Sequence, residues 1–138
     1  MRCKEWALVP GVYVYSGSAL NGLAGRIERH RRVFLSQGIG AHWHIDALLS
    51  LCGSVTAVCA PSEERTECKL VATLASDGME PVAGFGSTDC RSGCAGHLLR
   101  SVMSPERTVE AVARAFRDMR LQPYVCGEWM RPRSGSGL

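Results

Sequence analysis

The sequence predicts one α/β domain of the α+β class, a small antiparallel β-sheet flanked by helices. Three observations carry that expectation. The chain has 138 residues, 46% of them hydrophobic and 21% charged, which suits one domain around one core, since domains commonly run to roughly 100–150 residues. Two short runs, Val12–Tyr15 and Ser54–Cys59, are β-branched, aromatic or alternating in the way of strands. Other segments space their apolar residues three and four apart, as helices do. This composition excludes global disorder. No apolar run approaches the roughly 20 residues that a membrane span needs. The opening Met1-Arg2-Cys3-Lys4-Glu5-Trp6 lacks the apolar stretch of a signal peptide, so a cytoplasmic location is expected.

In chain order, Val12-Tyr13-Val14-Tyr15 reads as a strand closed by the turn residues Ser16-Gly17-Ser18. Leu23, Ile27 and Phe34 then mark one face of a first helix, which Gly38-Ile39-Gly40 breaks. A second helical pattern starts near His42, with Ile45, Leu48 and Leu49 on one side, and stops at Gly53. After the strand at 54–59, Pro61-Ser62-Glu63-Glu64 resembles a helix start, with acidic residues where the helix dipole favours them. Glu67, Leu70, Val71 and Leu74 form the stripe of that helix, so Glu67 begins its apolar face. Residues 77–97, rich in Gly, Ser and Cys, read as loops. Ser104-Pro105-Glu106 caps a last helix, with Pro at its first position, and Val109, Val112, Ala113, Phe116 and Met119 form its stripe. The domain is expected over 1–130, and 131–138 (Arg-Pro-Arg-Ser-Gly-Ser-Gly-Leu) as a flexible tail.

Charge is concentrated. The net charge is +3, and the segment 22–36 alone carries Arg26, Arg29, Arg31 and Arg32 against Glu28. Of the 16 basic residues 14 are Arg, whose planar fork holds a phosphate by two hydrogen bonds where Lys offers a point charge. The seven cysteines are an odd number, and the expected location is cytoplasmic. Reduced thiols are therefore expected in preference to a disulfide framework. Cys90-x₃-Cys94-x₂-His97 offers three zinc ligands, with Cys68 or Asp89 as a fourth, against the plainer reading of a loop packed by thiols.

Tyr15-Ser16-Gly17-Ser18-Ala19 followed by Arg26-Ile27-Glu28-Arg29-His30 resembles the second half of the GIY-YIG nuclease signature. There a Tyr-x-Gly-Ser strand end precedes a helix bearing an Arg, often with a His four residues later. Arg26 and His30 have that spacing, which puts both on one helical face. His42-Trp43-His44-Ile45-Asp46, with Phe85-Gly86-Ser87-Thr88-Asp89-Cys90 through His97-Leu98, resembles one branch of that superfamily, whose domains are fused to endonuclease III in some archaea. The resemblance covers about residues 10–100.

It implies a metal-dependent nuclease that hydrolyses nucleic-acid phosphodiester bonds, with DNA favoured over RNA. Such chemistry needs an activated water, stabilised phosphate charge and a protonated leaving oxygen. Arg26 would stabilise the phosphate, and Glu67 would hold one Mg²⁺ or Mn²⁺, which needs only one or two protein carboxylates. Tyr15 and His42 would stand near the attacking water, with His30 as a further catalytic candidate. Arg29, Arg31 and Arg32 would grip the nucleic-acid backbone in a salt-sensitive way. The alternative function is a non-catalytic nucleic-acid-binding module on the same scaffold.

One departure qualifies the resemblance. The family carries an earlier Gly-Ile-Tyr strand, whereas Gly11-Val12-Tyr13 runs directly into the second element and only 14 residues precede Tyr15. Either translation begins earlier, or the sheet is a strand short, or residues 3–9 take its place. A missing strand predicts weakened nuclease activity and an exposed sheet edge open to pairing in a homo-oligomer.

Overall fold

The computed structural model describes residues 11–17, 22–36, 48–49, 52–62, 65–82 and 97–130. Among the described residues it is an α+β structure in which three complete helices pack on two small antiparallel sheets. The element order is β1 (Val12–Tyr15), α1 (Leu23–Leu35), β2 (Ser54–Cys59), α2 (Glu67–Ser76), β3 (Glu80–Pro81), β4 (Leu98–Ser101), α3 (Pro105–Asp118) and β5 (Tyr124–Met130). Among the described residues no helix is long and apolar enough to cross a membrane.

The first sheet has the order β1-β4-β3. Its centre is β4, where Leu98 and Leu99 are both fully buried. Successive strand residues point to opposite faces, so this strand is covered on both sides. Tyr15 pairs with Leu98 and Val12 with Ser101. On the far side Glu80 pairs with Arg100 and Pro81 with Leu99. The proline lies on an edge strand, where its missing N–H is tolerated. Among the described residues no strand pairs with the outer edge of β1.

The second sheet is the β2–β5 ribbon. Ser54 pairs with Met130, and the register shifts between Ala57 and Val58, whose partners are Gly127 and Val125. Cys126 therefore falls at a bulge. The Cα atoms of Cys59 and Cys126 are 6.1 Å apart and the two are joined by a disulfide. This corrects the expectation of reduced thiols at these two positions. Their sequence separation of 67 gives no local signal, whereas two adjacent strands bring them within the Cα distance a disulfide requires.

The core has two parts. Leu70, Val71 and Leu74 of α2 meet Val112, Ala115 and Phe116 of α3 over Leu99 and Met79. Under α1, Val33, Phe34 and Leu49 gather Tyr15, Val55 and Trp129, and the Phe34 and Trp129 rings lie 6.2 Å apart. One core and one sheet were expected; the described residues form two of each, and the cluster under α1 joins Tyr15 of the first sheet to Val55 and Trp129 of the second.

Several boundaries also shift. The helix expected to open at Ser62 begins at Glu67, with Thr66 at the N-cap and no side-chain cap bond. The apolar stripe, which lets a helix bury a face, starts only there. The α3 cap is as expected, Ser104 Oγ accepting from the Arg107 N–H at 3.2 Å. Its buried face is Thr108, Val112, Ala115 and Phe116, so Val109 and Ala113 lie at the margin of the stripe. Part of the 77–97 segment is strand, because Glu80–Pro81 adds to β4. Leu48 and Leu49 are helical. The rest of the helix expected near His42, residues 3–9 and the tail at 131–138 lie outside the described residues.

Candidate active site

The candidate site is built around the end of β1. Tyr15 is its last residue, and its ring is partly buried against the α1 cluster. Ser16 follows, 2% exposed. Its backbone N–H donates to the His97 carbonyl at 2.9 Å and its hydroxyl donates to the Glu67 carbonyl at 3.1 Å. One small buried serine therefore fastens three segments: the end of β1, the residue before β4, and the first residue of α2.

Gly17 comes next, and its reason is a close approach. A Cβ there would stand 2.8 Å from the terminal Nη2 of Arg26, 3.3 Å from its guanidinium carbon and 3.5 Å from Cε1 of Tyr15. The guanidinium thus rests over the Gly17 backbone beside the Tyr15 ring. Arg26 reaches this seat from the first turn of α1, where its own N–H donates to the Gly22 carbonyl at 3.0 Å. At about 100° per residue, His30 shares the Arg26 face. Both are half-buried.

Glu67 opens α2 and is half-buried. Its neighbour Cys68 places Sγ 3.6 Å from Nε2 of His97, and His97 is itself 8% exposed. Tyr15, Arg26 and the head of α2 with Glu67 therefore meet at one corner of the first sheet. Among the described residues no group of three or more His, Cys, Asp and Glu side chains is placed to hold a metal ion.

The remaining candidates fall differently. Arg31 lies on another side of α1, where Nη1 donates to Oε1 of Glu28 at 2.9 Å, and this exposed pair adds little stability. Arg32 is exposed and Arg29 half-buried. About 100° separates Arg31 from Arg32, and Arg29 lies farther round. Arg29 and Arg32, three residues apart, therefore share one face, with Arg31 set to the side of it. A cavity of about 250 Å³ lies between α1 and the β2–β5 ribbon, lined by Leu23, Ile27, Arg31, Tyr124, Trp129 and the disulfide. It contains neither Arg26 nor Glu67. His42, Cys90 and Cys94 lie outside the described residues.

Sequence reasoning missed the parts of Ser16 and Gly17. Their signal was a buried-sized Ser-Gly pair directly after a strand, which reads equally as an ordinary turn.

The chain belongs to the family described as a domain of unknown function, DUF123, whose model matches residues 1–121. No curated protein matches the chain, and no solved structure does either.

Proposed function

We propose that this chain is a metal-dependent nuclease domain of the GIY-YIG type, acting in the cytoplasm on nucleic-acid phosphodiester bonds, with DNA favoured over RNA. One observation supports the reading above the rest. The Arg26 guanidinium lies over Gly17 beside the Tyr15 ring, and Ser16 ties the head of α2, where Glu67 stands, to the same strand end. The cation and the phenol lie together at this strand end, and the backbone of the residue that carries the carboxylate is tied to it.

Each group has a task. Arg26 offers its fork to the non-bridging phosphate oxygens and neutralises charge that builds as the bond breaks. Tyr15 exchanges a proton or a hydrogen bond with the attacking water, and His30 serves as a nearby proton carrier. Glu67 would hold a single Mg²⁺ or Mn²⁺. A half-buried carboxylate suits such an ion, which keeps most of its waters and takes few protein ligands. When bound, it supplies Lewis acidity to the phosphate and lowers the pKa of its water. Arg29 and Arg32 extend the basic surface along the backbone of a bound strand.

The test is cleavage of end-labelled DNA and RNA with Mg²⁺ and with Mn²⁺. The nuclease reading expects metal-dependent cleavage that falls about 100-fold or more in Arg26→Ala and in Glu67→Gln. Salt-sensitive binding with no cleavage in either metal would leave a binding module on the same scaffold.

A further inference from the structure

We propose that Arg100, beside Tyr13 on the face of the first sheet that also carries Tyr15, is a second phosphate-binding residue. It holds a backbone phosphate of the same nucleic-acid strand whose reacting phosphate lies at Arg26. The proposal deepens the reading of that corner and rests on the corner binding nucleic acid. The observation is an arrangement that occurs twice. A Cβ added at Gly17 would meet the Arg26 guanidinium and Cε1 of Tyr15, and a Cβ added at Gly11 would meet Nε of Arg100 at 3.7 Å and Cε2 of Tyr13 at 3.9 Å. Both ends of β1 therefore bring an arginine, a glycine backbone and a tyrosine ring together.

Register puts the two arrangements on one face. Tyr13 and Tyr15 are two residues apart and so point to the same side of the sheet. Arg100 stands directly opposite Tyr13, and Leu98 opposite Tyr15. Val14 and Leu99 turn the other way, into the α2–α3 cluster. On the tyrosine face, the α1 cluster packs against Tyr15 and Leu98 is fully buried. Toward the other end Tyr13 is half-buried and Arg100 exposed. Glu80 pairs with Arg100 from β3 and is exposed as well, but among the described residues the two form no ion pair.

Reach sets the spacing. Gly11 and Gly17 are six residues apart, and a chain spans at most roughly 3.6 Å per residue, so the two seats lie within about 22 Å of each other. Phosphates follow one another at about 3.4 Å of axis along one strand of a duplex. Arg100 therefore meets a phosphate within about six of the reacting one. A guanidinium steadied beside an aromatic ring also loses less freedom when its fork takes up phosphate oxygens.

The experiment compares the full chain with Arg100→Gln and with Arg114→Gln, an equal loss of charge at an exposed position of α3, the helix packed on the opposite face. Binding of end-labelled single-stranded DNA is measured without divalent metal over a salt series, and cleavage with Mg²⁺. Arg100→Gln should weaken binding about threefold to tenfold and flatten the log–log salt slope by about 0.7, the loss of one phosphate contact. Arg114→Gln should change neither. KM should rise with Kd while kcat stays within about twofold. Single methylphosphonate linkages, scanned along the strand, should include one off the cleaved bond that weakens wild type but not Arg100→Gln. Wild-type affinity and slope in Arg100→Gln, or equal losses in Arg114→Gln, would overturn the proposal; metal-dependent cleavage in the same samples would leave the nuclease reading standing. The expected slope change without cleavage in any protein would sustain the Arg100 contact and overturn the nuclease reading instead.

Discussion

Arg26 owes its position to an absent atom. Gly17 leaves the space over its Cα open, and the guanidinium fills it. The φ of Gly17 is outside the left-handed region, so alanine is compatible with the backbone and only the arginine tip has to move. Gly17→Ala should leave the thermal midpoint within a few degrees of wild type. Cleavage should fall on the order of tenfold to hundredfold, since a displacement of about 1 Å in a catalytic group can cost that much. Kinetics beside a melting curve checks the split, and a variant that melts early without losing specific activity would oppose it. The neighbouring strand carries another residue-scale device. Thr108 donates to the Ser104 carbonyl at 2.8 Å, which leaves its oxygen to accept from buried Ser101 at 2.8 Å. Ser101 Oγ in turn accepts the Met103 N–H at 3.1 Å. Thr108→Val keeps the shape but strands the Ser101 hydroxyl, and should cost about 1–3 kcal/mol in urea unfolding.

At the scale of elements, helix ends were unevenly legible. Ser104-Pro105 is a start that local chemistry imposes, because proline suits a first helical position and serine supplies the cap. Ser62 presents similar letters without effect, since no apolar stripe begins until Glu67 and a helix without a buried face gains little. The helix ends also differ in quality. After α2, Gly78 takes the left-handed conformation with φ of 101°, and the Met79 N–H donates back to the Leu74 carbonyl. After α3, Arg120 takes the same role with φ of 64°, and Leu121 donates to Phe116. A side chain there costs roughly 1–2 kcal/mol, partly offset by the greater freedom of an unfolded glycine. Arg120→Gly should therefore stabilise the protein by about 1 kcal/mol, seen as a higher denaturation midpoint at constant slope.

At the scale of the whole molecule, the described residues form two sheets and two apolar clusters, and the disulfide ties the two strands of the second sheet covalently. Its 67-residue separation corresponds to roughly 4 kcal/mol of loop-closure entropy in the unfolded chain. Reduction, or Cys126→Ser, should lower the unfolding free energy by about 2–4 kcal/mol. Denaturation with and without reductant measures this, and the Cys126→Ser protein should no longer respond to reductant. The site corner lies on the first sheet, so Arg26-dependent cleavage should persist in the reduced protein wherever it remains folded.

Local periodicity and turn chemistry by themselves determined the α+β class, the bounds of β1 and β2, the core of α1, the start of α3, and the shared face of Arg26 and His30. These depend on neighbours within one or two turns or a strand's length, which the order of residues states directly. Only the tertiary structure decided that β3 and β5 are strands, that β4 lies between β1 and β3, and that Cys59 meets Cys126. It also decided that Ser16 joins Glu67, 51 residues away, and that Cys68 meets His97, 29 residues away. Such meetings follow from which apolar faces bury one another, and that choice belongs to the whole chain because the free energy of burial depends on area covered and not on the distance along the sequence.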